Sequence, residues 1–394
     1  MNKQKNKELK LALLFYNYFN NDKSLNAENI HSKINSFEYN ELYSHLDFNV
    51  TNKDLNEMIE KINHLSSKDL IRDEFNEIKK SDYDYIKNKS IDFLSNLIIS
   101  LSPNVDNQSV YDPTLGYGEF FVEANKNLNI SNYYGEEIEK SVYNIAMMNM
   151  LINNIEEERI NIINSDSINN SKFLDKKFDL IISEPPFVIH DLIDESKRND
   201  SRFELIKDES IRSITDFSFI FHSLSLLKEE GTFITFASPS ILFSKLNKNI
   251  RKVLINDLNV IEAIIRLPNE VHKYIDMQIH VIVFKKNRNK NSIQMIDFSD
   301  FNIKASKREK ALSKLKNDLI EIYLKKIEKE YVSKEVSFKE IENNNYNLNV
   351  SRYIYKEEET VRKSNDQLLN QISKSQNEIK KYDKTIDELL LKLL

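Results

Sequence analysis

The fold of this chain is decided by residues 110–121, which read Val-Tyr-Asp-Pro-Thr-Leu-Gly-Tyr-Gly-Glu-Phe-Phe. The chain has only four glycines and six prolines, yet two of these glycines and one of these prolines fall in this stretch. Gly116 and Gly118 permit a tight turn and a close approach of the backbone to a ligand, which a Cβ would block. The apolar residues before them predict a strand end, and those after them predict a helix start. Strand, glycine turn and helix form the first unit of a nucleotide-binding α/β sheet, although a plain tight turn would leave the same short Gly-x-Gly.

Three further segments predict strands that end in polar residues. Residues 133–138 contain an acidic pair, and Glu137 lies about 20 residues after the glycines, where such folds place a carboxylate on the ribose hydroxyls. Another strand ends at Asp166, and an apolar one runs into Glu-Pro-Pro-Phe at residues 184–187. Because ligands of open α/β sheets bind beyond the carboxyl ends of the strands, we expect all these polar ends to line one crevice.

The chain resembles a known family at several motifs that occur in the same order. Residues 112–120, Asp-Pro-Thr-Leu-Gly-Tyr-Gly-Glu-Phe, resemble the cofactor motif of adenine-specific DNA methyltransferases, above all that of the modification subunit of type I restriction systems. Residues 183–187, Ser-Glu-Pro-Pro-Phe, resemble the catalytic Asn-Pro-Pro-Phe of that family. Further likenesses lie at residues 134–138, 146–150, 216–239, 264–268 and 346–353. Apart from the weaker likeness at 346–353, they cover roughly residues 85–300, and the ordered set is more specific than any single motif.

The resemblance implies an α/β fold with a Rossmann-like sheet of the S-adenosylmethionine-dependent methyltransferase kind. Apolar residues at helical spacing in the first 80 positions predict an N-terminal helical domain, and the pattern of the last 90 residues predicts a C-terminal helical or coiled-coil arm. We expect about seven strands. The boundaries that we assign are 1–84 for the helical domain, 85–302 for the methyltransferase domain and 303–394 for the arm. Residues 303–345 read as charged and helical. A heptad pattern in residues 368–393 predicts a short coiled coil or helical hairpin, or else a helix that packs back on its own domain.

The resemblance also implies that the strand ends hold S-adenosylmethionine. The residues that it assigns to the cofactor are Asp112, Pro113, Thr114, Leu115, Gly116, Gly118, Glu137 and Asp166. Asp112 and the glycines would approach the methionine portion, Glu137 the ribose and Asp166 the adenine amine. Glu119 stands where the family has a third glycine, and its charge would repel a phosphate, which favours S-adenosylmethionine over NAD. The family's Thr-Pro is absent near residues 88–90, which weakens any cofactor contact assigned there.

Catalysis is assigned by the same resemblance to Glu184, Pro185, Pro186 and Phe187. The N6 amine of adenine is a poor nucleophile, and enzymes of this kind flip the base out of the duplex and stack it on an aromatic ring, here Phe187. Acceptors then stabilise the charge that develops on the amine nitrogen, and the prolines hold the turn rigid. The family has Asn, Asp or Ser where this chain has Glu184. The extra methylene of glutamate moves its oxygens by about 1 Å, and a displacement of that size can cost about a hundredfold in rate. Either the site has adapted to Glu184, or the chain binds cofactor and has lost catalysis.

Composition limits the partners and the compartment. The net charge is −6 over 394 residues, and an acidic chain is a poor free-standing DNA binder because the phosphate backbone demands Lys and Arg. We therefore expect double-stranded DNA to be bound with a separate specificity subunit and a second methylase copy, joined through the terminal helices. The chain has no cysteine and no paired histidines, which predicts no metal site. No signal peptide and no membrane-spanning run is visible, so we expect a cytoplasmic protein.

A polar insertion at residues 188–215 follows the Pro-Pro-Phe segment. Its basic residues are Lys197, Arg198, Arg202, Lys207 and Arg212, and they stand among acidic ones. The insertion is either a flexible loop that closes over nucleic acid and contacts phosphates, or a solvated surface loop whose acids offset its bases.

Three other functions stay open beside an adenine-N6 DNA methyltransferase. A degenerate subunit that binds cofactor or DNA and serves assembly or regulation would fit Glu184 and the missing Thr-Pro. A small-molecule or protein methyltransferase would keep the cofactor loop but has no need of Pro-Pro-Phe. A dinucleotide oxidoreductase fits least, because of Glu119.

Overall fold

The computed structural model describes residues 3–44, 46, 50–80, 85–103, 106–186, 193, 195–197, 199–272, 278–355, 373 and 375. The chain divides into two compact units, Met1–Ile354 and Tyr355–Leu394. The sheet and its covering helices belong to the first unit. The predicted coiled coil at residues 368–393 belongs to the second, and apart from residues 373 and 375 it lies outside the described residues.

The first unit begins with helices, as the helical spacing of apolar residues in its first 80 positions predicts. They are α1 (Lys3–Asn20), α2 (Ile30–Asn35), α3 (Asn52–Asn63) and α4 (Lys68–Lys80). Thr51 caps α3, because its hydroxyl accepts a hydrogen bond from the amide of Asp54 (3.1 Å) and satisfies a donor at the helix end. These helices share one apolar core, which includes Leu11, Ile59 and Phe75.

The next part alternates strands and helices, as the glycine motif predicts. Its elements are α5 (Tyr85–Leu101), β1 (Gln108–Asp112), α6 (Glu119–Asn127), β2 (Ile130–Glu137), α7 (Lys140–Ile152), β3 (Ile160–Asn164), β4 (Phe178–Ser183), α8 (Ile211–Leu226) and β5 (Leu227–Ala237). The five strands are parallel, in the order β3-β2-β1-β4-β5. The chain therefore runs outward from β1 to β3 and returns to the other side of β1. A crevice opens at the carboxyl ends of the strands where the order reverses, here β1 and β4.

The second half of the sheet is mixed. Its elements are α9 (Pro239–Phe243), α10 (Lys248–Lys252), β6 (Ile261–Arg266), β7 (His280–Lys285), β8 (Ser292–Asp297), α11 (Arg308–Lys325), β9 (Ser333–Ser337) and α12 (Phe338–Asn343). β7 lies between β5 and β6 and runs antiparallel to both. β8 and β9 complete the order β5-β7-β6-β8-β9.

The nine-stranded sheet corrects two expectations from the sequence. The sheet has β8 and β9 in addition to the seven strands expected, and β9 interrupts the segment 303–345 that reads as helical. β9 is short and polar and has no alternation of apolar residues, so its own sequence does not predict a strand. Pairing with β8 makes it one, with Val336 opposite Ile293. The α/β class and the N-terminal helices are as expected, while the boundaries at 84/85 and 302/303 stay a prediction.

Helices cover both faces of the sheet, and strand residues alternate between two apolar cores. Val110 packs in the core that includes α5, α6 and α11, while its neighbour Tyr111 packs in the core that includes α8, α10 and α12. The methionine-rich stripe of α7 serves as core. Met150 packs on the sheet and Met148 on the N-terminal helices. Among the helices of the described residues, none is long and apolar enough to cross a membrane.

Arg251 on α10, only 2% exposed, should be a strong contributor to stability. Its Nε donates to the carbonyl of Tyr346 (2.6 Å) and its Nη1 to the carbonyl of Ile241 (3.0 Å). Arg251→Met leaves both carbonyls without these donors, so we expect the free energy of unfolding to fall by about 2–3 kcal/mol in chemical denaturation. Lys252→Met, at the exposed neighbour, is the control and should change it by less than about 0.5 kcal/mol. Equal denaturation midpoints for the two variants would contradict this role.

Candidate functional site

The glycine loop between β1 and α6 lies against the end of β2. Gly116 and Gly118 adopt left-handed backbone conformations, with φ angles of 54° and 72°, which side chains with a Cβ rarely adopt. The amide of Gly116 donates to Oε2 of Glu137 (2.9 Å), and the amide of Leu115 donates to the carbonyl of Glu136 (3.0 Å). The structure therefore brings the loop and the acidic end of β2 into direct contact.

Gly135 serves the packing of this loop. A Cβ on Gly135 would lie 3.0 Å from Cδ1 of Leu115 and 3.2 Å from Cε2 of Phe121. The missing side chain lets the buried Leu115 lie directly on β2. The third of the chain's four glycines thus permits a close approach between loop and strand.

The Glu137 carboxylate is held from two sides. Oε2 accepts from Gly116, and Oε1 accepts from the amide of Glu139 (2.9 Å). Burial raises the pKa of this carboxyl, and the two amides oppose that shift. Since each carboxylate oxygen has two lone pairs, Glu137 keeps capacity for a ligand hydroxyl.

Thr114 connects the glycine loop to the end of β4. Its hydroxyl donates to Oδ1 of Asp112 (3.1 Å), lies 3.0 Å from Oγ of Ser183 and accepts from the amide of Glu184 (3.1 Å). Since the single hydroxyl hydrogen goes to Asp112, Ser183 donates to Thr114. The predicted cofactor loop and the predicted catalytic segment are therefore joined through one side chain.

Asp112 is fully buried and only half paired. Oδ1 accepts from the amide (2.8 Å) and the hydroxyl of Thr114, whereas Oδ2 has no partner in the part of the chain that the structure describes. Burial raises the pKa of the Asp112 carboxyl to about 7, although the two hydrogen bonds from Thr114 oppose the shift. An unpaired buried carboxylate oxygen is costly, so a ligand with a positive charge or a donor would bind favourably here.

Asp166 holds a turn of its own after β3. Oδ1 accepts from the amides of Ile168 and Asn169 (both 2.9 Å), and Oδ2 accepts from Nδ2 of Asn169 (2.9 Å). Its carboxylate is therefore oriented, but its hydrogen bonds go to its own turn and not to the loop or to Glu137. Its assignment to the cofactor stays a prediction.

Glu184 precedes two prolines that line a cleft beside α8. The empty volume of the cleft, open mouth included, is about 520 Å³, and its lining residues are Pro185, Pro186, Thr215, Asp216, Phe219, Ile220, Phe236, Ala237, Ser238 and Ile241. Although Glu184 is partly exposed, desolvation by the surrounding protein raises the pKa of its carboxyl to about 7. Phe187, the predicted stacking ring, lies outside the described residues.

A buried polar chain supports the site from the α8 face of the sheet. Arg202 Nη1 donates to Nδ1 of His222 (2.8 Å), so the ring hydrogen is on Nε2, which donates to the hydroxyl of Tyr111 (2.9 Å). Tyr111 in turn donates to Oε2 of Glu136 (2.6 Å). Burial lowers the pKa of His222 to about 3, and Arg202 adds to this shift. Glu136 also accepts bonds from Ser165, Ser171 and Lys172. The chain of hydrogen bonds therefore runs in one direction, through a neutral histidine, to a well-paired carboxylate.

Arg202 lies in the polar insertion and fits neither interpretation of that segment, a loop that contacts phosphates or a solvated surface loop. It is 9% exposed, pairs with Asp200 (2.7 and 2.9 Å) and donates to the carbonyl of Ile168 (2.6 Å). An arginine with these buried partners is neither solvated nor available to a phosphate. Its charge gave no sign of this, because only the fold brings His222 and the carbonyl of Ile168 to it. Arg198 and residues 187–192 and 194 lie outside the described residues.

Ile138 is a candidate site residue that the sequence analysis missed. It follows Glu137 at the end of β2, and 62% of its surface is exposed. An isoleucine placed in solvent at the crevice can cover the face of a flat ring. The signal that could have found it is an apolar residue directly after the acidic end of a strand. Among the described residues, no cluster of three or more His, Asp or Glu side chains is suited to hold a metal ion.

Comparison with known proteins covers most of the chain. The sequence profile of the family described as N-6 DNA Methylase matches residues 92–362. The methylase subunit of the type I restriction enzyme MpnII of Mycoplasma pneumoniae is 28% identical over an alignment of 298 residues, which covers 71% of this chain and 52% of that protein. The HindI methylase subunit of Haemophilus influenzae is 28% identical over an alignment of 200 residues, which covers 48% of this chain and 44% of that protein. The chain thus spans about half the length of these curated relatives.

Solved structures share the fold. The methyltransferase subunit of a type I restriction-modification system from Streptococcus thermophilus superposes with a TM-score of 0.72 at 22% identity, over 88% of this chain and 80% of that one. A chain from a structure of a type I R-M system superposes with a TM-score of 0.64 at 16% identity, over 99% and 94%. At these identities the likeness concerns the fold alone.

The raised pKa of Asp112 leads to a pH-dependent prediction. The folded protein keeps its proton up to a pKa of about 7, whereas the ordinary value is 3.8. The stabilisation from the buried neutral carboxyl is therefore present at low pH and is lost as the pH rises through about 7. We expect Asp112→Asn, measured without ligand, to gain stability relative to wild type between pH 5 and pH 8.

The control for this variant is Asp179→Asn. Burial alone would raise the pKa of Asp179, but hydrogen bonds from Lys228 and Ser109 hold it below its ordinary value. It is therefore ionised in both states above pH 5, and its stability difference from wild type should stay constant over the same range. A constant difference for Asp112→Asn as well would show that Asp112 is charged in the folded protein.

Proposed function

The chain belongs to the N-6 DNA methylase family, and from this membership we propose that it transfers a methyl group from S-adenosylmethionine to N6 of adenine in double-stranded DNA, as the modification subunit of a restriction-modification or related defence system. The observation that carries the proposal is the Thr114 bridge. It joins the glycine loop to the amide of Glu184, beside the cleft lined by Pro185 and Pro186. Cofactor loop and acceptor segment are thus neighbours, as methyl transfer requires.

The residues at the crevice fit S-adenosylmethionine, which supplies an electrophilic methyl group on a sulfonium when bound. The unpaired Oδ2 of Asp112 would accept from the ammonium of its methionine portion. Glu137 would take the ribose hydroxyls on its free lone pairs, and Ile138 would cover a face of the adenine. Asp166 would take the adenine amine. Gly116 and Gly118 keep side chains out of the space that the ligand needs.

Glu184 would hold the target amine. In its deprotonated form it accepts hydrogen bonds from the amine and stabilises positive charge that develops on the nitrogen. Pro185 and Pro186 fix the backbone of this segment, and the apolar lining of the cleft, including Ile220 and Phe236, suits a base that has left the duplex. Stacking on Phe187 stays a prediction.

We propose the partners on the same basis. The relatives are methylase subunits of type I restriction enzymes, and a net charge of −6 disfavours DNA binding by this chain alone. A specificity subunit would supply most of the phosphate contacts, and a second methylase copy would be held through the terminal helices.

Cofactor binding is tested by calorimetric titration of S-adenosylmethionine into wild type and Glu137→Ala. Loss of the carboxylate removes charge-assisted hydrogen bonds of about 1.5–3 kcal/mol, so we expect the Kd of the variant to rise at least tenfold. Glu158→Ala, an exposed acidic residue before β3, is the control and should bind as wild type does. A folded wild type that binds no S-adenosylmethionine would remove the basis for the methyltransferase proposal.

Catalysis is tested through the pH dependence that Glu184 should impose. Because the ionised carboxylate stabilises positive charge on the amine better than the protonated carboxyl does, and its pKa lies at about 7, the rate should rise with pH between 6 and 8. Glu184→Gln should flatten this profile, and Glu184→Ala should lower kcat by about a hundredfold with unchanged cofactor affinity. The measurement is mass spectrometry of N6-methyladenine in unmethylated genomic DNA, incubated with the chain and the specificity subunit of its system. Cofactor binding without methyl transfer at any pH would favour the degenerate assembly or regulatory subunit instead.

A further inference from the structure

A lysine from the N-terminal helices is buried against the end of the cofactor loop. Lys79, near the end of α4, is 2% exposed. Its Nζ lies 3.1 Å from Oε2 of Glu119 and 2.6 Å from Oδ1 of Asn149. Lysines are almost never fully buried unless their charge is paired, and this one is paired at the first residue of α6, directly after Gly118.

Asn149 extends this contact into the loop. It lies on α7 and is fully buried, and its Nδ2 donates to the carbonyl of Tyr117 (2.7 Å). Nδ2 of Asn153 donates to the same Oδ1 of Asn149 that faces Lys79 (2.9 Å). These bonds fix the orientation of the amide, with its oxygen toward Lys79 and its nitrogen toward the loop. A single chain of hydrogen bonds therefore runs from Lys79 through Asn149 to Tyr117.

The two points held in this way bracket Gly118. Tyr117 lies between the two glycines with positive φ angles, and Glu119 begins the helix that follows them. Glycines lose more conformational freedom on ordering than any other residue. A loop that must be ordered at the moment of binding lowers affinity, and contacts that order it beforehand raise affinity.

We propose that Lys79 is a positioning residue that orders the cofactor loop in advance, so that the N-terminal helices set the affinity of the chain for its cofactor. The identity of that cofactor rests on the proposed function, but the ordering of the loop does not. By linkage, a bound cofactor must stabilise the attachment of α4 as strongly as α4 favours the cofactor. A partner that pulls α4 away from α6 would release the cofactor.

The first test needs no ligand. The amides of Leu115, Gly116 and Gly118 are hydrogen-bonded, so a peptide that spans residues 112–121 should exchange hydrogen slowly. In Lys79→Met, which keeps the length of the side chain and removes its charge, we expect this exchange to be about tenfold faster through local opening. Lys126→Met is the matched control, because Lys126 also pairs with a glutamate of α6, Glu123 at 3.4 Å, but on the surface. Equal protection of the loop in wild type and Lys79→Met would overturn the proposal.

The second test is titration with S-adenosylmethionine. We expect Lys79→Met to raise the Kd about tenfold and the KM for the cofactor likewise, with kcat unchanged, because Lys79 acts on the loop and not on the transferred methyl. Cofactor should slow hydrogen exchange of α4 in wild type and not in the variant. A Kd within twofold of wild type in a folded variant would overturn the proposal. A wild type that binds no cofactor would instead remove the proposed function and leave the exchange test of the loop in force.

A second variant guards against loss of folding. Lys79→Met leaves Glu119 without its partner, which is strongly destabilising for a mostly buried pair. The double variant Lys79→Met/Glu119→Gln removes that charge and should recover part of the thermal stability. It should not recover cofactor affinity or loop protection, because Asn149 still lacks the hydrogen bond from Lys79. Recovery of both together with stability would show that Lys79 only supports the fold.

Discussion

The candidate site depends on one hydroxyl group. The Thr114 hydroxyl donates its single hydrogen to Asp112, and its oxygen accepts from Ser183 and from the amide of Glu184. Its hydrogen-bonding capacity is then used completely. These bonds hold the ends of β1 and β4 together at the point where the strand order reverses, so the glycine loop and the Glu-Pro-Pro segment cannot shift independently. A valine in place of Thr114 would have the same shape but no hydroxyl. It would leave the hydroxyl of Ser183 and the amide of Glu184 without this acceptor, next to the buried carboxylate of Asp112.

Several carboxylates lie around this hydroxyl, and they differ in their hydrogen-bond partners. Glu136 and Glu137 are consecutive and lie on opposite faces of β2. The first is satisfied by the polar chain from Arg202, and the second is shared with the glycine loop. Lys79 forms an ion pair with Glu119 and offsets its negative charge, so Glu119 repels a phosphate less than its sequence position suggests. Asp112 and Glu184 keep raised pKa values. The crevice therefore favours a ligand with positive charge, which a sulfonium with an ammonium group supplies and a dinucleotide phosphate does not.

The sequence predicted the parallel half of the sheet, and with it that the glycine loop lies beside Glu137 and Glu184, because those signals are local. Glycines are rare here, and each of three has a local reason: Gly116 and Gly118 take positive φ angles, and Gly135 lets the loop approach β2 closely. It did not predict β9, since a short polar edge strand exists only through its partner β8. Nor did it predict the pairings of Thr114 with Ser183, Arg202 with His222 or Lys79 with Asn149. These join residues that are distant in sequence, and charge or polarity alone does not tell which partner the fold will bring.

The insertion of β7 between β5 and β6 also bears on how the chain can be made. Strands β1 to β5, which carry the glycine loop and the Glu184 segment, can pair as soon as residue 237 has left the ribosome, because all five lie before residue 238. The far edge of β5 has no partner until residues 280–285 emerge, and at 5–20 residues per second this takes about 2–10 seconds. During that time an apolar strand edge is open to other nascent chains. The order of strands therefore lets the parallel half of the sheet form first and leaves the edge of β5 to be covered later, and this edge is where misassembly during synthesis can begin.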